Sequence, residues 1–496
     1  MILIVLIGNQ SIIGTPYSYA SISDKATTTS SSAELKSLQQ NSIDNNIFST
    51  LMHEPSNSSF ISSSDSRVSD SSSSNKTTLP HLIDPNLNVQ VVAQGLNMPT
   101  TMAFLGKDDF LILQKNGSLV RVVDGMLSNK TRLDVPVAKG FYQGLLGIAI
   151  TKSTLDNRTF VFLYYTEVSS DNNSNNNNNT SGKFSTSNNN PAPHILGNRV
   201  YRYELKDDRL INPRLLLNLP ANATENHGGY ITIGPDNNLY ILIGEVADEW
   251  NETAVQTLTQ NYVNSTIVDG RAGILRLTLD GRPVLDDKGH GILGETFPLN
   301  LYYAYGLHNG FGMDFDPVKG ILWDTEPGHW INDEINIVRP GFNSGYAIIQ
   351  GLSKYFPAVP FAVVNFNGKG KYSDPEFVWN QKVVPTGLKF LTSEKLGSQY
   401  HNDMFVGGFL DGRLYHFYLD KDRSHLLLPS ELRSKELKTW NATGFKDIVF
   451  GTGFGGISSL NVGPDGFLYV VSTTQGKVYR IVPNNEVTHN NIDNVN

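Results

Sequence analysis

Ile231-Thr232-Ile233-Gly234-Pro235-Asp236-Asn237-Asn238-Leu239-Tyr240-Ile241-Leu242-Ile243 reads as a strand, a tight turn and a second strand, and Leu460-Asn461-Val462-Gly463-Pro464-Asp465-Gly466-Phe467-Leu468-Tyr469-Val470-Val471 repeats it near the end of the chain. Proline presets φ for the turn, aspartate bonds the backbone two residues on, and Asn or Gly tolerates a left-handed φ. The β-branched and aromatic runs on either side are strand formers. Four looser copies lie outward from these two: Met102 to Phe104 with Phe110 to Leu113, Leu146 to Ile150 with Phe160 to Tyr165, Met313 to Phe315 with Ile321 to Trp323, and Leu388 to Phe390 with Met404 to Val406.

Copies at intervals of roughly 45 to 85 residues suit a four-stranded unit with variable loops. A small sheet cannot bury both faces alone, so such units stack radially. The expected fold is therefore all-β: a six-bladed β-propeller with four-stranded antiparallel blades. A β-sandwich with a second domain does not explain six similar hairpins. The last strand, Gly476 to Val482, is expected to share a blade with an N-terminal strand near Val89 to Val92 and so close the ring. The only helical pattern is a turn at Glu431 to Leu437.

The chain has 496 residues and a formal net charge of -8 with no basic block, which argues against a nucleic-acid partner. It has 0 Cys, which excludes disulfides, thiolate chemistry and Cys-ligated metals. The opening run Met1 to Ile7 is too short to span a bilayer, and with Ser18-Tyr19-Ala20 it reads as a secretory signal peptide over residues 1–20. No Lys or Arg precedes Lys25, so an uncleaved anchor or an upstream start stays open, and with it a membrane or cell-surface tether. Residues 21–82 form a Ser/Thr/Asn-rich linker too poor in apolar side chains to fold. The propeller is expected over 83–483, with a disordered Asn-rich insertion at 169–193 and a polar tail at 484–496. Asn-x-Ser/Thr sequons recur from Asn57 to Asn441, which favours a glycosylated, extracellular or cell-surface protein.

Propeller chemistry sits on the loops at one end, and four polar loop clusters stand out: Glu225-Asn226-His227-Gly228-Gly229, Gly244-Glu245, Tyr305-Gly306-Leu307-His308-Asn309, and Asp324 to Val338. Read alone, His227, His308 and His329 with Glu245 or Glu326 suit a metal site or a general base. Asp333-Glu334 offers hard oxygens for Ca²⁺. A single loop histidine or acidic pair is more often solvated or capping a turn.

The order Asn226-His227-Gly228-Gly229, Gly234-Pro235-Asp236, Gly270-Arg271-Ala272-Gly273, Tyr305-Gly306-x-x-Asn309, Asp333-Glu334-Ile335-Asn336 and Gly341-Phe342-Asn343-Ser344-Gly345-Tyr346 resembles the glucose/sorbosone dehydrogenase family. That resemblance implies a six-bladed propeller that holds pyrroloquinoline quinone (PQQ) and Ca²⁺ and oxidises an aldose sugar, passing electrons to an acceptor that the resemblance does not name. In the family a loop histidine takes the hydroxyl proton, an arginine and Ca²⁺ stabilise charge, and basic residues clamp the cofactor.

Carried over, the base is His227, although an ungapped count from Gly-Pro-Asp reaches Asn226 instead. His308 stands where the family has arginine, beside a matching Asn309. Tyr142, Gln143, Glu245 and Arg413 are the expected cofactor contacts, with His416 also on the Arg413 hairpin. The expected metal residues are Gly328, His329, Asp333 and Glu334, of which Gly328 and His329 would act through backbone carbonyls. Two readings follow: a secreted quinone-dependent sugar dehydrogenase, or a catalytically degenerate propeller that binds a glycan, metal or partner at the cell surface. The oligomeric state is not legible.

Overall fold

The repeated turns show why the strands form where they do. In the computed structural model, the Asp236 carboxylate accepts the backbone N–H of Asn238 at 3.2 Å and the Tyr240 hydroxyl at 3.0 Å, and pairs with Arg276 at 2.6 Å. Asp465 repeats this with Phe467 at 3.2 Å, Tyr469 at 2.8 Å and Arg480 at 3.1 Å. One aspartate thus ties the turn to the second and third strands. The residue after it must adopt positive φ, which Asn237 (58°) and Gly466 (84°) supply.

The structure describes residues 79–128, 131–154, 156–169, 193–247, 255–329, 331–356, 363–439 and 444–485. The expected signal peptide, most of the linker, the interior of the Asn-rich insertion and most of the polar tail lie outside these residues.

The described strands form six sheets. Each begins with a strand from one repeat copy: Pro99–Gly106, Leu145–Lys152, Ile231–Ile233, Gly312–Phe315, Pro385–Phe390 and Ile457–Val462. These first strands lie beside those of neighbouring sheets, and the last returns to the first. Apolar side chains pack between consecutive sheets. Leu111 and Leu163 share one cluster, Phe162 and Ile241 the next, Leu242 with Met313 and Leu322 a third, and Trp323 with Leu388 and Phe417 a fourth. A fifth joins the last sheet to the first and fifth through Val470, Ile112 and Phe405. The architecture is an all-β propeller, and burial on both faces explains strands such as Leu239–Ile243, apolar at every position.

The uniform four-stranded antiparallel blade is not what the chain builds. Only two of the sheets have four strands; the others have five or six. The third sheet gains Phe342–Asn343 and Lys371–Tyr372 at its edge, and the fourth gains Glu436–Leu437, each by parallel pairing. These segments come from long loops of later sheets, so they arrive from outside the hairpin order and cover an otherwise open edge. His81–Leu82 falls within the segment expected to be linker, yet pairs with Val449–Thr452. At the other junction Leu87–Gln94 pairs with Lys477–Pro483, the expected closure. The turn at Glu431 to Leu437 is a single 3-10 turn, Ser430–Leu432, followed by a short strand.

Candidate active site

In each sheet the loop leading into the first strand and the loop leaving the second lie at the same end, because the two strands are antiparallel. Ile231 faces Ile241, Gly312 faces Thr325 and Pro385 faces Gly408. The residues before Ile231, Gly312 and Pro385 therefore meet those after Ile243, Glu326 and Gly408.

At the junction of the third and fourth sheets this places Asn226, Glu245, His308 and Asn309 together, all buried. The Asn309 side chain accepts the Gly228 N–H at 3.1 Å through Oδ1 and donates through Nδ2 to Asn226 Oδ1 at 3.0 Å. Asn226 Nδ2 in turn lies 3.0 Å from Glu245 Oε1 and 3.2 Å from His308 Nε2. His308 Nδ1 donates to the Pro327 carbonyl at 2.8 Å, leaving Nε2 directed at Glu245 Oε1, 3.3 Å away. Gln260 holds the other Glu245 oxygen at 3.1 Å. The close packing explains Gly244, where an added Cβ would stand 2.2 Å from the Asn226 carbonyl oxygen.

Burial alone would raise the Glu245 pKa, but hydrogen bonding and charge from His308 hold it below its ordinary value. Burial opposes charge on His308, yet Glu245 raises it above an ordinary histidine. Both shifts describe one buried ion pair. The His329 ring lies edge-on to that of His308, with centroids 5.4 Å apart, and burial with the nearby His308 charge brings its pKa down to about 4. The Tyr346 ring lies 4.7 Å from His308.

His227 does not join this group. Its Nε2 faces the Ala223 carbonyl at 3.0 Å and its Nδ1 faces Asn198 Oδ1 at 3.0 Å. Thr166 and Pro220 fix the Asn198 amide through its oxygen and nitrogen, and the Gln143 amide nitrogen lies 3.3 Å from His227 Nε2, so both ring nitrogens of His227 already face protein groups. The structure thus sets His227, the base expected from the sequence, apart from the His308 group, while the ungapped position, Asn226, faces His308 and Asn309 with an amide that cannot serve as a base. His227→Ala is expected to cost roughly 2–4 kcal/mol of stability through a buried cavity and stranded acceptors, while leaving turnover of the same order. Urea unfolding and turnover, measured on the same preparation, check this.

The expected metal residues also separate. Lys382 Nζ donates to the Gly328 carbonyl, reaches the His329 carbonyl at 3.4 Å and pairs with Asp333 at 3.4 Å. Asp333 further accepts the N–H groups of Gly328 at 2.9 Å, Val383 at 2.6 Å and Val384 at 2.7 Å. Glu334 points elsewhere, taking the Gly351 N–H at 2.6 Å. Of the expected cofactor contacts, only Glu245 lies in the His308 group. Gln143 bonds the Ala223 carbonyl at 3.1 Å, Tyr142 packs edge-on against Phe141, and Arg413 pairs with Asp411 at 3.1 Å while covering the Phe445 ring. His416 is held by Asp403 at 2.9 Å.

Behind the centre, Glu326 accepts the His308 backbone N–H at 2.5 Å and the Ser344 hydroxyl at 2.6 Å. Asp324 and Glu334 are buried nearby, and burial together with the Glu326 charge pushes both carboxyls far above their ordinary values. A raised folded-state pKa favours the protonated acid, so stability falls as pH rises from the unfolded value through the folded one. Asp324→Asn removes that titration. It is expected to stabilise the protein by an amount that grows as the pH rises above the ordinary aspartate value of 3.8, read from thermal unfolding of both forms over a pH series.

Residues 96–480 match the sequence profile of the glucose/sorbosone dehydrogenases. The chain belongs to that family. This family member is 25% identical over 411 residues to the aldose sugar dehydrogenase of Escherichia coli (strain K12), covering 80% of this chain and 94% of that protein. It is 27% identical over 318 residues to quinoprotein glucose dehydrogenase B of Acinetobacter calcoaceticus, covering 61% of this chain and 60% of that protein. Among solved structures, the PQQ-bound aldose sugar dehydrogenase of Streptomyces coelicolor matches in fold with a TM-score of 0.53 and 23% identity, covering 80% of this chain and 98% of that one.

Sequence reasoning about the family member named Glu326 beside His308 but missed Lys382, Gln260 and Tyr346 as neighbours of the centre. Lys382 carries no motif, but it precedes the first strand of the fifth sheet, and the equivalent loops of the third and fourth sheets supply Asn226 and His308. Position in the repeat was the usable signal.

Proposed function

We propose that this chain oxidises an aldose sugar by hydride transfer to PQQ, with each of the six sheets serving as one blade. The observation that carries the reading is the buried Glu245–His308 pair braced by Asn226 and Asn309. Support comes from relatives named as an aldose sugar dehydrogenase and a quinoprotein glucose dehydrogenase, and from the PQQ-bound structure of the same fold.

The donor set suits an anionic quinone: the Lys382 ammonium, about a quarter exposed, stands beside His329. PQQ, when bound, supplies the hydride acceptor. The chain's own part is to hold the sugar hydroxyl against the Glu245 carboxylate, which takes its proton as the carbon loses hydride, while the paired His308 Nε2 holds that carboxylate in place. Asn226 and Asn309 orient that pair, and burial keeps water from competing for it.

Ca²⁺ does not fit the carbonyl pair assigned to it. A hard dication wants six to eight oxygen ligands, whereas the Gly328 and His329 carbonyls already face the Lys382 ammonium and Asp333 is fully bonded. The leader and sequons support an extracellular site of action.

The test is reconstitution of the purified chain with PQQ, with and without Ca²⁺, followed by dye reduction over a panel of aldoses. Dye reduction that needs PQQ and is indifferent to Ca²⁺ is the expected result. No reduction with any sugar overturns the reading in favour of a degenerate, ligand-binding propeller.

A further inference from the structure

Glu245, His308 and His329 each offer one ligand atom, and these three atoms lie within 4.8 Å of one another. His308 stands where the resemblance places an arginine, and His329 lies on the loop after Glu326. We propose that Glu245, His308 and His329 bind a first-row divalent metal ion of the zinc type, at a site distinct from the carbonyl pair of Gly328 and His329 and in competition with the sugar hydroxyl for Glu245 and His308.

The geometry matches the chemistry. Neighbouring donors on a tetrahedral ion with bonds of about 2.0–2.1 Å stand roughly 3.3–3.4 Å apart. His308 Nε2 and Glu245 Oε1 are separated by 3.3 Å. His329 is half-buried on the loop after Glu326, and its remaining separation is one that a side-chain rotation spans.

The surroundings are those of a built site. The Nδ1 of His308 is committed to the Pro327 carbonyl, which fixes the ring and presents Nε2. One Glu245 oxygen is steadied by Gln260 and the other by Asn226. Two imidazoles and one carboxylate favour a borderline ion over Ca²⁺, and three protein ligands leave one position open for an outside oxygen. The Lys382 charge is directed at the two backbone carbonyls and Asp333.

The inference does not rest on sugar oxidation, because binding is read without turnover. Co²⁺ added to the chelator-treated full chain is expected to develop visible ligand-field bands that saturate at a single equivalent. Zn²⁺ should bleach them and Ca²⁺ should not. His329→Ala, a half-buried loop change chosen to preserve the fold, and the near-isosteric Glu245→Gln are each expected to weaken Co²⁺ binding by about 100-fold or more. Unchanged metal-free thermal unfolding of His329→Ala certifies its fold. Absence of bands in the parent protein overturns the proposal. So does persistence of unaltered bands in both variants, which places the ion elsewhere, or displacement of Co²⁺ by Ca²⁺.

Discussion

Asp333→Ala is expected to lower folding stability by about 3–5 kcal/mol, the cost of breaking a buried charge pair from one side. Asp333 is fully buried on the fourth sheet, and its carboxylate gathers three backbone N–H groups and the Lys382 ammonium. Two of those N–H groups belong to Val383 and Val384, which lead into the fifth sheet, so this one side chain clamps adjacent sheets. Alanine strands three donors and an ammonium at once. Asp333→Asn keeps one acceptor oxygen and should lose less. Urea unfolding of both variants is the measurement, and a loss under about 1 kcal/mol for alanine would show that the clamp is redundant.

His308→Ala should reduce dye-coupled sugar oxidation by the PQQ-loaded protein by about 10²–10⁴-fold, the usual contribution of a positioned acid–base group. The imidazole is the partner of Glu245 and the neighbour of Asn226, and the amides of Asn226 and Gln260, at 3.0 and 3.1 Å from the carboxylate, carry no charge to replace it. Removing it also leaves Glu245 buried without its counter-charge, so the Glu245→Gln/His308→Ala double variant is the companion measurement. If chemistry rather than folding is lost, the double variant regains thermal stability but not turnover. A single variant that keeps turnover within tenfold of the parent would remove His308 from the reaction.

The fold was legible because its signal is local and repeated. The Asp236 and Asp465 turns need only a short window to declare themselves, and the closing strand follows from counting copies. The added edge strands were hidden because Phe342–Asn343 and Glu436–Leu437 are too short to show a period and pair with partners far away in the chain. At the site, the loops named from the sequence bring His308, Asn309 and Glu245 together. The sequence could not say which way His227 faces, since neighbouring residues on a loop can point to opposite sides. It named the Gly328 and His329 carbonyls for a metal through the resemblance, and it could not show that Lys382, fifty-odd residues downstream, faces both of them.

Ring closure has a consequence for how the chain is made. The segments that complete the fifth and sixth sheets, His81–Leu82 and Leu87–Gln94, leave the ribosome more than 350 residues ahead of their partners Val449–Thr452 and Lys477–Pro483. Until then both early segments must wait unpaired while the intervening sheets form, and the growing arc exposes an open edge. The ring is therefore latched in two steps, and a ribosome stalled between Thr452 and Lys477 holds a protein whose fifth sheet can close while its sixth cannot.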